Sequence, residues 1–119
     1  MIRESEILDM LGNKIPEINP ELEKLTNAGN IYKSIQCFAD FTKEVIGSGN
    51  LLAAKRCLNL AEEMLVKGNT TVQNAIENVF LHTLSPLIDL GDSAGTAVKK
   101  MLKGSLRREY KRQVCASGL

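Results

Sequence analysis

The chain is poor in the residues that most often carry chemistry. It has no tryptophan, three phenylalanines, two tyrosines and a single histidine, His82, in 119 residues. One histidine excludes the paired Glu-x-x-His motifs by which helical bundles hold two metal ions, and the residue three before it is Val79. The three cysteines, Cys37, Cys57 and Cys115, are odd in number and have no CxxC spacing. A disulfide framework or zinc site is therefore not expected, and a reducing cytoplasm is. Cys37 and Cys57 fall in helical segments, where they read as small buried hydrophobes.

Long apolar runs are missing as well. No stretch approaches the ~18 residues of a membrane-spanning helix. The first residues, MIRESEILDML, interleave charges with apolar side chains, so no signal peptide is expected. Sustained apolar–polar alternation is absent, and with it any segment to assign as a strand. The glycine-rich stretch Gly47-Ser48-Gly49-Asn50 follows a helical segment, and no Lys-Ser or Lys-Thr comes after it. It thus lacks the strand and the GxxxxGK[ST] pattern of a phosphate loop. Neither a catalytic motif nor a cofactor or metal signature stands elsewhere.

What is present favours helix. Leu, Lys and Glu are the commonest residues, and aromatic residues are scarce. The length suits one domain that buries roughly two-thirds of its unfolded surface. A first helix is expected from Arg3 to Leu11, ending at Gly12, and a second from the Asn19-Pro20-Glu21 start, with Leu22 and Leu25, to Gly29. From Asn30 to Ile46 the residues Ile31, Ile35, Phe38, Thr42 and Val45 lie within about 80° on a helical wheel. From Leu51 the apolar arc widens through Ala54, Cys57, Leu58, Leu60, Ala61, Met64 and Leu65, which marks a central helix. Glu63 can pair with Lys67 on its outer side.

Thr70-Thr71-Val72-Gln73 reads as a capping box, opening a helix whose inner face is Val72, Ala75, Ile76, Val79, Phe80, Thr83 and Leu84. On that wheel Leu81 lies opposite the apolar face, and Leu52 lies on the polar side of its own helix. Each is a stray exposed residue or half of an oligomer contact. Ser85-Pro86 is expected to break or kink the chain before a short turn over Leu87–Leu90. The C-terminal part carries Ala97, Val98, Met101, Leu102, Leu106 and Tyr110, and Gly104 either ends one helix or lies within a longer one.

The pair Gly-Asn recurs at 12–13, 29–30, 49–50 and 68–69. Glycine ends a helix and asparagine caps the next, so each pair is a tight joint between antiparallel helices. The last three are 20 and 19 residues apart. The expected fold is all-α: antiparallel helical hairpins stacked as a compact bundle or a short TPR- or HEAT-like solenoid. It forms one domain over 1–119, with short helices to residue 28, core hairpins over 30–90 and a basic segment over 92–119.

Charge is divided along the chain. Residues 1–91 hold 8 basic and 12 acidic side chains, and residues 92–119 hold 7 and 2. The basic set is Lys99, Lys100, Lys103, Arg107, Arg108, Lys111 and Arg112. It could engage nucleic-acid phosphates, although Tyr110 is the one aromatic among them, or dock on the acidic remainder of the chain. Asn74, Asn78 and His82, spaced by four, form a polar stripe suited to recognising a peptide or polar ligand, or simply solvated. The candidate binding surface comprises these three residues with Arg107, Arg108, Lys111 and Arg112. A Cys57–His82 nucleophile pair stays open at this level. Asp40 and Glu44 are like charges four apart.

Two stretches, NAIENVFLHTLSPLIDL (Asn74–Leu90) and LRREYKRQVCASGL (Leu106–Leu119), follow the helix pair that begins IYKSIQCFADFTKEVI. Together they resemble an uncharacterised family of small, all-helical bacterial proteins of Bacteroidetes type, a domain of unknown function, over most of the chain from about residue 30. The resemblance implies a cytoplasmic helical protein and transfers no site. In the word LRREY it implies Tyr110 packing inward and Arg107 or Glu109 pairing. The expectation is a non-enzymatic, cofactor-free protein that binds another protein, a second copy or a toxin in an immunity role. Nucleic-acid binding through the basic helix is the alternative.

Overall fold

A computed structural model describes residues 1–24, 31–89 and 93–116, with side chains to Val114. Helix α1 is Glu4–Lys14, and Glu6 accepts the Arg3 backbone N–H at 3.2 Å. Gly12 is inside this helix and forms no joint. The stop is Ile15, whose backbone (φ −134°, ψ 73°) has left the helical region that a following proline disfavours. A 3₁₀ turn, Pro16–Ile18, leads into α2, Asn19–Glu23. Asn19 is already helical and does not cap. Its side-chain amide instead donates to the Gly12 carbonyl at 3.4 Å, tying α2 to α1. The expected course through Leu25 to the Gly29-Asn30 pair lies outside the described residues.

Helix α3, Ile31–Gly47, and helix α4, Leu51–Lys67, follow the expected pattern. Gly49 turns with φ +79°, a region other residues rarely enter, and Asn50 accepts the Ala53 N–H at 3.1 Å. At the next joint the cap is Asn69, which accepts the Val72 N–H at 3.0 Å. The expected capping box at Thr70 is not formed, because Gln73 donates to the Leu65 carbonyl of α4 at 3.0 Å. Gly68 is extended here, and a side chain would collide with the Met64 carbonyl and Val72. The N-terminus seats on this corner: the Ile2 N–H donates to the Lys67 carbonyl at 2.7 Å and its carbonyl accepts the Asn69 N–H at 2.8 Å. That is an isolated bridge, with no strand among the described residues.

Helix α5, Thr70–Ala75, runs on through a π turn, Ile76–Phe80, into α6, Leu81–Asp89. The wider turn rotates everything after it by roughly one residue, about 100°. Ile76 and Leu81, five residues apart, therefore face the same side. Leu81 is fully buried, contrary to the exposed position that uniform helical spacing assigns it. Packing accompanies the turn: the Phe80 ring lies 4.8 Å from that of Phe38 on α3. Pro86 does not break the helix, which continues to Asp89 and absorbs the expected turn. It sits on the exposed side, where water can take the carbonyl it leaves unpaired.

Helix α7, Ser93–Met101, and helix α8, Gly104–Ala116, complete the chain. Gly104 separates them at φ +54°. α4 packs on α3, α5, α7, α8 and the π turn, and α3 shares the centre by contacting α1, α2, α5, α6 and α7 as well. A solenoid stacks units that touch only their neighbours, whereas here α8 returns to α4 and α7 reaches both α3 and α4. The radius of gyration is 13.5 Å, which is about what a compact domain of this length has. The all-α expectation holds, and a TPR- or HEAT-like repeat order does not emerge.

Candidate functional site

The basic segment divides its two faces cleanly. Val98, Leu102, Leu106 and Tyr110 are buried, while Lys99, Lys100, Lys103, Arg107, Arg108, Lys111 and Arg112 are all exposed. The segment thus docks through its apolar side, and its cations point to solvent. Arg112 pairs with Glu109, its Nε donating to Oε1 at 3.0 Å, and Arg108 donates to the Ser105 hydroxyl at 2.9 Å. The other five have no ion-pair partner among the described residues.

Three polar contacts fix α8. Glu62 on α4 accepts the Ser105 N–H at 3.0 Å and the Leu106 N–H at 2.9 Å, closing the helix start with a negative charge. The Tyr110 hydroxyl donates to Asp89 at the end of α6. Burial, and then Asp89, push its pKa up to about 12. The Gln113 amide donates to the Glu77 carbonyl in the π turn at 2.7 Å. Glu109 is held below the usual carboxylate range, chiefly by its hydrogen bond to Arg112. Glu77 is raised by burial and by Glu109, against the influence of Arg112. Tyr110 packs inward and Glu109 pairs, as the LRREY word implies, whereas Arg107 makes no such contact among the described residues.

The Gln113–Glu77 contact joins the two halves of the candidate surface. Asn74 and Asn78 are exposed, within one turn of Glu77 in sequence. His82 is exposed too, but lies further along, next to Thr83, which accepts from Gln36 of α3 at 3.2 Å. Gln113 thus brings α8 to the π turn, and the Gln36–Thr83 contact ties the start of α6 to α3. Glu62, Glu77, Asp89 and Gln113 were missed as supports of the candidate surface, and only tertiary contacts reveal them.

The structure does not bring Cys57 and His82 together as a nucleophile and base. Cys57 is fully buried beside Thr42, and burial raises its pKa, the reverse of what activation requires. Cys37 is half-buried in an open groove of about 680 Å³ between α2 and α3. Ile18, Cys37 and Phe41 line it, with Glu17, Glu21, Asp40 and Glu44 at its edges. Three of these carboxylates already have neighbours: Glu17 pairs with Arg56, Glu21 with Lys24, and Asp40 accepts from Gln36 at 2.9 Å. Among the described residues no group of His, Cys, Asp and Glu is placed to hold a metal ion, and no helix is long and apolar enough to cross a membrane.

Comparison with curated proteins and with solved structures gave no match. Residues 8–116, nearly the whole chain, match the family described as "Domain of unknown function (DUF7674)". The all-helical chain with its buried tyrosine and solvent-facing cations belongs to that family.

Proposed function

We propose that this is a non-enzymatic, cytoplasmic protein-binding module whose contact surface is the outer side of α8 with the adjoining Asn74, Asn78 and His82. One observation carries the reading: Lys99, Lys100, Lys103, Arg107 and Lys111 are exposed and make no ion pair among the described residues, on a segment whose last helix, α8, is firmly anchored. Such a surface costs stability through repulsion and is complementary to an acidic partner surface. The partner is an acidic protein, as in the immunity role toward a toxin. The test is affinity purification from the native host with the wild type and with Arg107→Glu/Lys111→Glu. A stoichiometric partner held by the wild type and lost by the variant is expected. Equal recovery by both, or no partner at all, would overturn the reading.

The same exposed cations favour nucleic acid as the second reading. It requires DNA or RNA binding that weakens steeply with salt and disappears when Arg107, Arg108, Lys111 and Arg112 are neutralised. Undetectable binding at low salt would end it.

A further inference from the structure

On the outer face of α4, Leu52, Lys55, Asn59 and Val66 are exposed and Glu63 is half-buried, and the pattern complements itself. Leu52, Asn59 and Val66 lie seven residues apart, and Leu52 and Val66 are 77% and 55% exposed. The two lie about 21 Å apart with polar residues between them, so it is the order of those residues that points to a contact. Between them Lys55 stands four residues before Asn59 and Glu63 four residues after it, whereas Arg56 is paired with Glu17 and Glu62 is turned to the start of α8, so neither of these belongs to the pattern. On a helical wheel Leu52, Lys55, Asn59, Glu63 and Val66 fall within about 100°.

This order reads the same after reversal about Asn59 with the charges exchanged. We infer that α4 pairs antiparallel with α4 of a second copy across a twofold axis through Asn59. Leu52 of one copy then meets Val66 of the other at both ends. Lys55 of each helix faces Glu63 of its partner, whereas a parallel pairing would set like charges together. Asn59 meets its own copy, and a carboxamide both donates and accepts, so the pair satisfies itself and fixes the register. The interface is isologous and closed, so it yields a dimer and not a filament. It uses a face separate from the α8 surface and does not rest on the reading proposed for it.

A standard interface buries about 1,200–2,000 Å². One helix face falls at the low end, so the dimer is expected to dissociate in the range of about 10–100 µM. Sedimentation velocity from about 5 to 500 µM, a span chosen to bracket that range, tests the idea. The expected result is a concentration-dependent dimer that Leu52→Arg abolishes while circular dichroism stays that of the folded protein. Lys55→Glu and Glu63→Lys should each weaken self-association about tenfold. A mixture of those two variants should associate more tightly than either alone, because the unaltered Lys55 of one copy meets the unaltered Glu63 of the other. A monomer throughout, or a dimer indifferent to all three substitutions, would overturn the proposal. So would a mixture no tighter than its components.

Discussion

Glu62 on α4 caps Leu106 at the start of α8, its Oε1 accepting the Leu106 backbone N–H at 2.9 Å, from a position 44 residues earlier in the chain. An isolated helix start caps itself with the residue before it, but that residue here is Lys103, which carries no acceptor. A carboxylate on a neighbouring helix does the work instead, and Gly104 leaves it the room: a side chain there would collide with Glu62.

Glu62→Ala is therefore expected to cost about 1–3 kcal/mol, since it leaves two part-buried N–H groups without an acceptor. Gly104→Ala adds a positive-φ penalty of about 1–2 kcal/mol to the collision. The two should be strongly non-additive in urea denaturation, because removing the carboxylate removes the obstacle to the methyl group. Strict additivity would show that the cap and the glycine are unrelated.

The Tyr110 hydroxyl fastens the other end. Tyr110→Phe should lower stability at neutral pH by about 1 kcal/mol. The folded pKa, about 12, lies above the ordinary value near 10. Stability from this group is thus fully present below pH ~10 and lost as pH rises toward ~12. Thermal melts of the wild type should show that alkaline decline, and Tyr110→Phe should show less of it.

Two leucines separate wheel from structure. Leu81→Ala is expected to cost about 2–4 kcal/mol, because its side chain is wholly enclosed. Leu52→Ala should change monomer stability by no more than about 0.5 kcal/mol, measured by denaturation below the dimerising concentration. Equal losses at the two positions would contradict the rotation introduced by the π turn.

Thiol chemistry should follow burial. In a Cys115→Ser background, a disulfide reagent should label Cys37 slowly and leave Cys57 untouched until the protein unfolds, since burial leads the upward shift of both thiols. Rapid labelling of Cys57 in the native state would reopen the case for it as a nucleophile.

What was legible in the chain was what is decided locally. Gly49 and Asn50 announce the α3–α4 joint because a positive φ and a cap need only residues within one turn. The buried faces of α3 and α4 follow from uniform periodicity. Leu81 was misplaced because one widened turn, beside the packed Phe38–Phe80 pair, shifts the phase of all that follows. Asn69 caps α5 as the Gly68-Asn69 pair leads one to expect, whereas the capping box at Thr70 does not form because Gln73 finds a partner on another helix. On the candidate surface, neither the solvent-facing direction of the cations, which the sequence leaves open against docking on the acidic part of the chain, nor the Gln113–Glu77 contact across 36 residues is decided locally.

The Ile2 bridge carries an implication for biosynthesis. Its partners, Lys67 and Asn69, lie about 65 residues downstream. At about 5–20 residues per second the ribosome needs roughly 3–13 s to deliver them. Throughout that interval, and for the further time α4 and the cap of α5 need to clear the exit tunnel, this first stretch of backbone has nowhere to dock.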